Sequence, residues 1–136
     1  MEQSNKTENT VLVRKYFPQE WDDLILPSTV METLKNISKT QGYRLLMFSK
    51  PGTGKTSTSR IISKNDEVMY LSGSNDFKID TLRNKVMGFA SGMSINNKQK
   101  TIIIDEFENI RDDLQDAFKI ILDKAVKVNF IFITNE

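Results

Sequence analysis

The sequence predicts an α/β fold: a mainly parallel sheet with helices on both faces, a three-layer sandwich. Three observations predict it. Short apolar runs alternate with segments of helical period along most of the chain. The runs Thr101–Ile104 and Phe130–Ile133 are apolar or β-branched without alternation, as interior strands of parallel sheets are. A glycine-bearing loop, Ser49 to Thr56, separates the apolar run Leu45-Leu46-Met47-Phe48 from the helical segment that follows.

The elements follow in order. Residues 1–10 are polar and are expected to be a flexible terminus, leaving 11–136 as one folded unit. Val11 to Pro18 is a short extended segment. Val30, Leu34 and Ile37 recur at helical spacing after Pro27-Ser28-Thr29, and Thr29 with Glu32 has the spacing of a capping box. Gln41-Gly42 ends this helix, and Arg44 to Phe48 reads as a buried strand. Thr56 to Ser63 is the next helix, with Ile61 and Ile62 turned inward. Val68 to Leu71 is a second strand, and Ser72 to Asp76 is a loop of cap-forming residues. Ile79, Leu82, Val86, Phe89 and Ala90 mark a third helix, weakened at its end by Gly88 and Gly92. A polar loop leads to strand Thr101–Ile104. The amphipathic helix Leu114 to Ala125 and the strand Phe130–Ile133 complete the pattern.

Composition narrows the chemistry. With 136 residues, 38% hydrophobic and 27% charged, the chain can bury one core. The net charge of +1 provides no global field toward nucleic acid, so any such contact must be local. There are no cysteines and no histidines, which excludes disulfides, thiolate zinc sites and imidazole bases. Carboxylates and lysines remain. No apolar run reaches membrane-spanning length, and a cytoplasmic location is expected.

Ser49-Lys-Pro-Gly-Thr-Gly-Lys-Thr56 carries the strongest functional signal. Glycines let successive N–H groups turn inward around a polyphosphate, and the next helix aims its positive end at the same place. Gly52, Thr53, Gly54, Lys55, Thr56 and Ser57 would hold the phosphates of ATP. Lys55 would reach the outer phosphates, and the Thr56 hydroxyl would ligate Mg²⁺. The first glycine of the usual pattern is Ser49 here.

Two acids, Asp105 and Glu106, follow the run Thr101–Ile104. Paired carboxylates at a buried strand end are costly unless positive charge binds beside them. Asp105 would orient Mg²⁺, and Glu106 would polarise a water for in-line attack on the terminal phosphate. Asn135 ends the last apolar run, where an uncharged polar group could hold the attacking water or touch the terminal phosphate.

With phosphate loop, Asp-Glu strand and sensor Asn in this order, the chain resembles the AAA+ ATPases, a P-loop superfamily. Arg14-Lys15-Tyr16-Phe17-Pro18 is similar to the Lys-Tyr-Arg-Pro segment of DNA polymerase clamp-loader subunits. Leu71 to Asp76, followed by Lys78-Ile79-Asp80 and Arg83, is similar to their Asn-Ala-Ser-Asp stretch. Leu114 to Lys119 is similar to their Gln-x-Ala-Leu-Arg helix. The details look nearest to the small subunit of tailed-phage clamp loaders, which are replication factor C-like.

The resemblance implies the following. Val13, Arg14, Lys15, Tyr16 and Ile25 would wrap the adenine and ribose. Lys78, Ile79 and Arg83 would contact primer–template DNA, and Lys78 would release the catalytic Glu106 once DNA is bound. Partners would be the other loader subunits, in a hetero-oligomeric pentamer, and a sliding clamp. Phe17 stands where the family has Arg, and Ser49-Lys50 where it has Gly-Pro. The family's arginine finger, helical lid and collar would lie beyond Glu136, so the chain is expected to be a fragment or one half of a split product. Two other readings stay open: a replication initiator or helicase loader of the same superfamily, and a nucleotide-binding module without turnover of its own.

Overall fold

A computed structural model describes residues 18–75 and 78–135. Four strands form one sheet: β1 Arg44–Ser49, β2 Glu67–Ser72, β3 Lys100–Asp105 and β4 Asn129–Asn135. Their spatial order is β1-β4-β3-β2, and every neighbouring pair is parallel. Four helices flank the strands: α1 Ser28–Ser38 precedes β1, α2 Lys55–Ile62 follows it, α3 Ile79–Ser91 follows β2, and α4 Asp112–Lys124 follows β3. The predicted α/β class and the observed architecture agree.

The centre of the sheet explains the unalternating runs. Ile102, Ile104 and Phe130 face α3 and α4, packing with Leu82, Val86, Leu114, Phe118 and Ile121. Ile103, Ile131 and Ile133 turn to the opposite face, against Leu34 of α1 and Ile62 of α2. Both faces of Ile102–Ile104 and Phe130–Ile133 are thus covered, so these positions are apolar without alternation. Each side chain of this kind contributes about 1.5–3 kcal/mol through its burial.

Polar side chains tie the helix ends to the sheet. The Arg44 guanidinium donates to the carbonyls of Leu122 (3.1 Å), Ala125 (2.9 Å) and Val128 (2.5 Å), and lies over the Phe130 ring. This satisfies the open carbonyls at the end of α4. Lys100 does the same for α3, donating to Phe89 and Gly92 carbonyls. Fully buried Asn129 accepts from the N–H groups of Gly42 and Tyr43 and donates to Gln99 and Thr101.

Three expectations need correction. The capping box at Thr29 and Glu32 does not form. The helix begins at Ser28 with Pro27 as its cap, so Thr29 lies inside the first turn, where its carbonyl accepts from the Thr33 hydroxyl. That helix ends at Ser38, and Gly42 instead makes a left-handed turn into β1. Strand β1 is not buried. Among the described residues it pairs only with β4, and Leu46 and Phe48 are 62% and 61% exposed.

Candidate active site

The parallel register brings four strand ends to one side of the sheet. Ser49 of β1 pairs with Asn135 of β4, and Ser72 of β2 pairs with Asp105 of β3. Ligands of open α/β sheets sit at this carboxyl edge. The loop after β1 turns through Gly52 and Gly54, with φ of 80° and 83°, a region that glycine alone adopts freely. Gly54 caps α2 without a side-chain hydrogen bond, so no cap side chain claims the N–H groups of its first turn. The Lys55 ammonium donates to the carbonyls of Ser49 and Lys50, each at 2.9 Å, and to the Ser49 hydroxyl at 3.0 Å. Ser49 also pairs with the Thr53 hydroxyl, which in turn donates to the Lys50 carbonyl at 3.0 Å. The serine in place of glycine thus braces the loop from within.

The loop and the acidic pair are joined directly. The Thr56 hydroxyl donates to Asp105 Oδ2 at 3.1 Å, and the Tyr70 phenol donates to the same oxygen. Asp105 Oδ1 accepts the Glu106 N–H at 2.8 Å. Burial, then the Asp105 carboxylate, push the Tyr70 phenol well above its ordinary range. Glu106 has a left-handed backbone, φ 52°, and its carboxylate accepts from the Ser72 hydroxyl at 3.0 Å and from the Ser74 hydroxyl. Between these serines, Gly73 passes so near that an added Cβ would meet the Glu106 carbonyl oxygen at 2.1 Å. Only glycine fits there.

Residues 51–57, Asp105, Glu106 and Asn135 line one polar cavity of about 270 Å³. Asn135 is fixed by Glu108: its side-chain amide donates to one carboxylate oxygen at 2.9 Å and its backbone N–H to the other at 3.3 Å. Burial works against the Glu108 carboxylate. Its own N–H, Asn135 and Thr134 outweigh that effect and hold its pKa below the usual glutamate range. A second cavity of about 510 Å³ adjoins Thr56 and Ser57 and is walled by Pro18, Gln19, Arg60 and Lys64.

The donor set fits a hard divalent cation. Thr56 and Asp105 offer converging oxygens, and Mg²⁺ commonly takes one or two protein oxygens while keeping several waters. Among the described residues no group of three or more His, Cys, Asp or Glu forms a closed metal cage, as zinc would need.

Of the residues singled out from sequence, the structure brings together Gly52, Thr53, Gly54, Lys55, Thr56, Ser57, Asp105, Glu106 and Asn135. Val13, Arg14, Lys15 and Tyr16 lie outside the described residues. Ile25 is fully exposed and lines neither cavity. Lys78 and Arg83 are exposed at the start of α3, whereas Ile79 is half-buried and packs against the core. Tyr70, Ser72, Ser74 and Glu108 were not singled out as site residues. The position of Ser72 at the end of a strand was the one signal that could have found it.

Residues 45–136 match the ATPase family associated with various cellular activities (AAA). The chain belongs to that family. Its AAA core is similar to named replication proteins. It is 40% identical over 102 residues to the sliding-clamp-loader large subunit of Enterobacteria phage T4, covering 72% of this chain and 32% of that protein. Replication factor C subunit 5 of Homo sapiens is 34% identical over 143 residues, covering 97% and 42%. The replication factor C small subunit of Sulfolobus acidocaldarius is 33% identical over 121 residues, covering 82% and 37%. The phage relative is named a large subunit, where the sequence resemblance was to a small one. The chain spans less than half the length of these relatives. In fold it is similar to a variant of Thermotoga maritima RuvB, with TM-score 0.62 and 17% identity, covering 88% of this chain and 41% of that one. Among the described residues, no AAA helix here is long and apolar enough to cross a membrane.

Proposed function

We propose that the chain is the ATP-binding and ATP-hydrolysing core of a clamp-loader subunit, which uses ATP to open a sliding clamp and load it on primer–template DNA during replication. The hydrogen bond from Thr56 to Asp105 carries this reading, because it joins the phosphate loop to the acidic pair in one cavity. The names of the relatives supply the replication context.

In this reading the N–H groups of Gly52 to Ser57 cradle the phosphates, and Lys55 leaves its loop carbonyls to meet the outer ones. Thr56 and Asp105 would hold Mg²⁺, which would supply positive charge beside the phosphates. Glu106 accepts the proton of the attacking water, with Asn135 beside it. The cavity at Pro18 and Gln19 takes the adenine, with Val13, Arg14, Lys15 and Tyr16 just upstream in sequence. Lys78 and Arg83 meet DNA phosphates, and Ile79 supports them from the core. The other loader subunits and the clamp are the protein partners, and a pentamer is the expected assembly.

The engagement of Glu106 by Ser72 and Ser74 favours a chain that turns over little ATP by itself. Titration with a fluorescent ATP analogue tests the site. Binding that depends on Mg²⁺ and is lost in Lys55→Ala is expected; equal binding by this variant refutes the assignment.

A further inference from the structure

We propose that Glu108 is a positioning residue that locks the Asn135 amide with Oδ1 toward the phosphate cavity, making Asn135 an acceptor for the attacking water rather than a donor to phosphate. The water and phosphate in this statement rest on the ATPase reading above; the locking itself does not.

An ionised carboxylate can only accept hydrogen bonds. The Asn135 group facing Glu108 at 2.9 Å must therefore be the NH₂. Its Oδ1 is then the atom left for the other side, where Asn135 lines the cavity with Glu106. The second oxygen of Glu108 takes the backbone N–H of Asn135, so rotation of the carboxylate is restrained as well. The pKa of Glu108 lies below the usual range, which keeps it ionised at neutral pH.

Glu108 is exposed, but the residue before it is anchored in an aromatic cluster. That residue, Phe107, packs edge-on against Phe118 and Phe132, with ring centroids 6.0 and 5.1 Å away. The same turn is closed by the Asn109 N–H on the Glu106 carbonyl at 2.9 Å. One short segment therefore carries the acid at Glu106 and, two residues on, the group that aims Asn135.

The chemical consequence concerns the water's two protons. Two acceptors, Glu106 and Asn135 Oδ1, take one hydrogen bond each and leave a lone pair directed at phosphorus. As the water oxygen bonds to the terminal phosphorus, the bond to the bridging oxygen breaks, and the proton on the Glu106 side passes to that carboxylate. A donor in place of Asn135 Oδ1 would compete for the attacking lone pair.

The test uses the full chain with ¹⁵N-labelled asparagine. The Asn135 side-chain NH₂ signal should be shifted and slow to exchange in the free chain, lose both properties in Glu108→Ala, and keep them when Mg²⁺ and a non-hydrolysable ATP analogue are added. A signal indifferent to Glu108→Ala, or one released by the nucleotide, overturns the proposal. Turnover gives a second arm. Glu108→Gln and Asn135→Asp should each lower kcat about tenfold, Glu108→Gln with unchanged nucleotide affinity. Together they exchange donor and acceptor, because the new amide donates to the new carboxylate, and kcat should recover to within about threefold. A double variant as slow as the singles refutes the acceptor role. Failure of the wild-type chain to bind the analogue would instead remove the ATPase reading, while the free-chain spectrum still decides whether Glu108 orients Asn135.

Discussion

The hydroxyl of Thr56 donates to Asp105 Oδ2 across 3.1 Å, linking the first turn of α2 to the end of β3. Both oxygens belong to a cation site in the proposed mechanism, and here they hold each other. Asp105→Asn should therefore preserve the fold and nucleotide binding without metal, but remove the gain on adding Mg²⁺. A charged partner of this kind contributes about 1.5–3 kcal/mol, or roughly tenfold to a hundredfold in affinity. Titrations of the ATP analogue with and without Mg²⁺ measure it.

Glu106 and its serine partners should separate binding from turnover. Glu106→Gln in a complete subunit is expected to keep ATP affinity and lose hydrolysis by about 10²–10⁴-fold, the range for a general base. Ser74→Ala removes one hydroxyl from the same carboxylate and should raise the basal rate about twofold to tenfold, the worth of one hydrogen bond. Single-turnover hydrolysis with radiolabelled ATP reads both. A fall in rate in Ser74→Ala would mean that the serine supports the acid rather than restrains it.

The α3 face should respond to DNA and to salt. Lys78→Ala is expected to reduce stimulation of hydrolysis by primer–template DNA, and Arg83→Ala to weaken DNA binding evenly across sequences. Each lost phosphate contact should lower the slope of log affinity against log salt by about 1. Fluorescence anisotropy over a salt series gives the slopes; slopes equal to wild type would return these residues to a solvated helix face.

Tyr43 predicts an alkaline effect far from the cavity. Its hydroxyl is buried with no hydrogen-bond partner among the described residues. Burial raises its pKa from 10.0 to about 12, against a smaller opposing pull from Thr101, whose hydroxyl is already spent on Asp66. Folding therefore favours the protonated phenol. That stability is complete below pH 10 and is lost as pH rises toward about 12. Tyr43→Phe should remove this loss and change stability at pH 7 by no more than about 1 kcal/mol. Thermal midpoints of both proteins from neutral to alkaline pH test the sign.

How much of this was legible in the sequence depends on the range of each interaction. Thr101–Ile104 and Phe130–Ile133 were readable as interior strands because both of their faces are covered. Leu45–Phe48 is also an unbroken apolar run, yet among the described residues β1 lies at the sheet margin; strand order decides exposure there, and order is not a local property. The phosphate loop and the acidic pair were readable because their chemistry is contiguous. The Ser72 and Ser74 contacts with Glu106 and the pairing of Asn135 with Glu108 join residues about thirty positions apart, so no local pattern announces them. The capping box failed for a local reason: Pro27, with its fixed φ, takes the cap position two residues before Thr29.

The exposed side chains of Leu46 and Phe48 on β1 have a practical consequence at the bench. Among the described residues β1 has a neighbouring strand on one side alone, and such a margin bearing two large apolar groups invites intermolecular pairing. Concentrated samples of this chain are expected to self-associate, and light scattering across a dilution series will set the working range for the spectra and titrations above. A lysine at either position should widen that range without touching the phosphate loop.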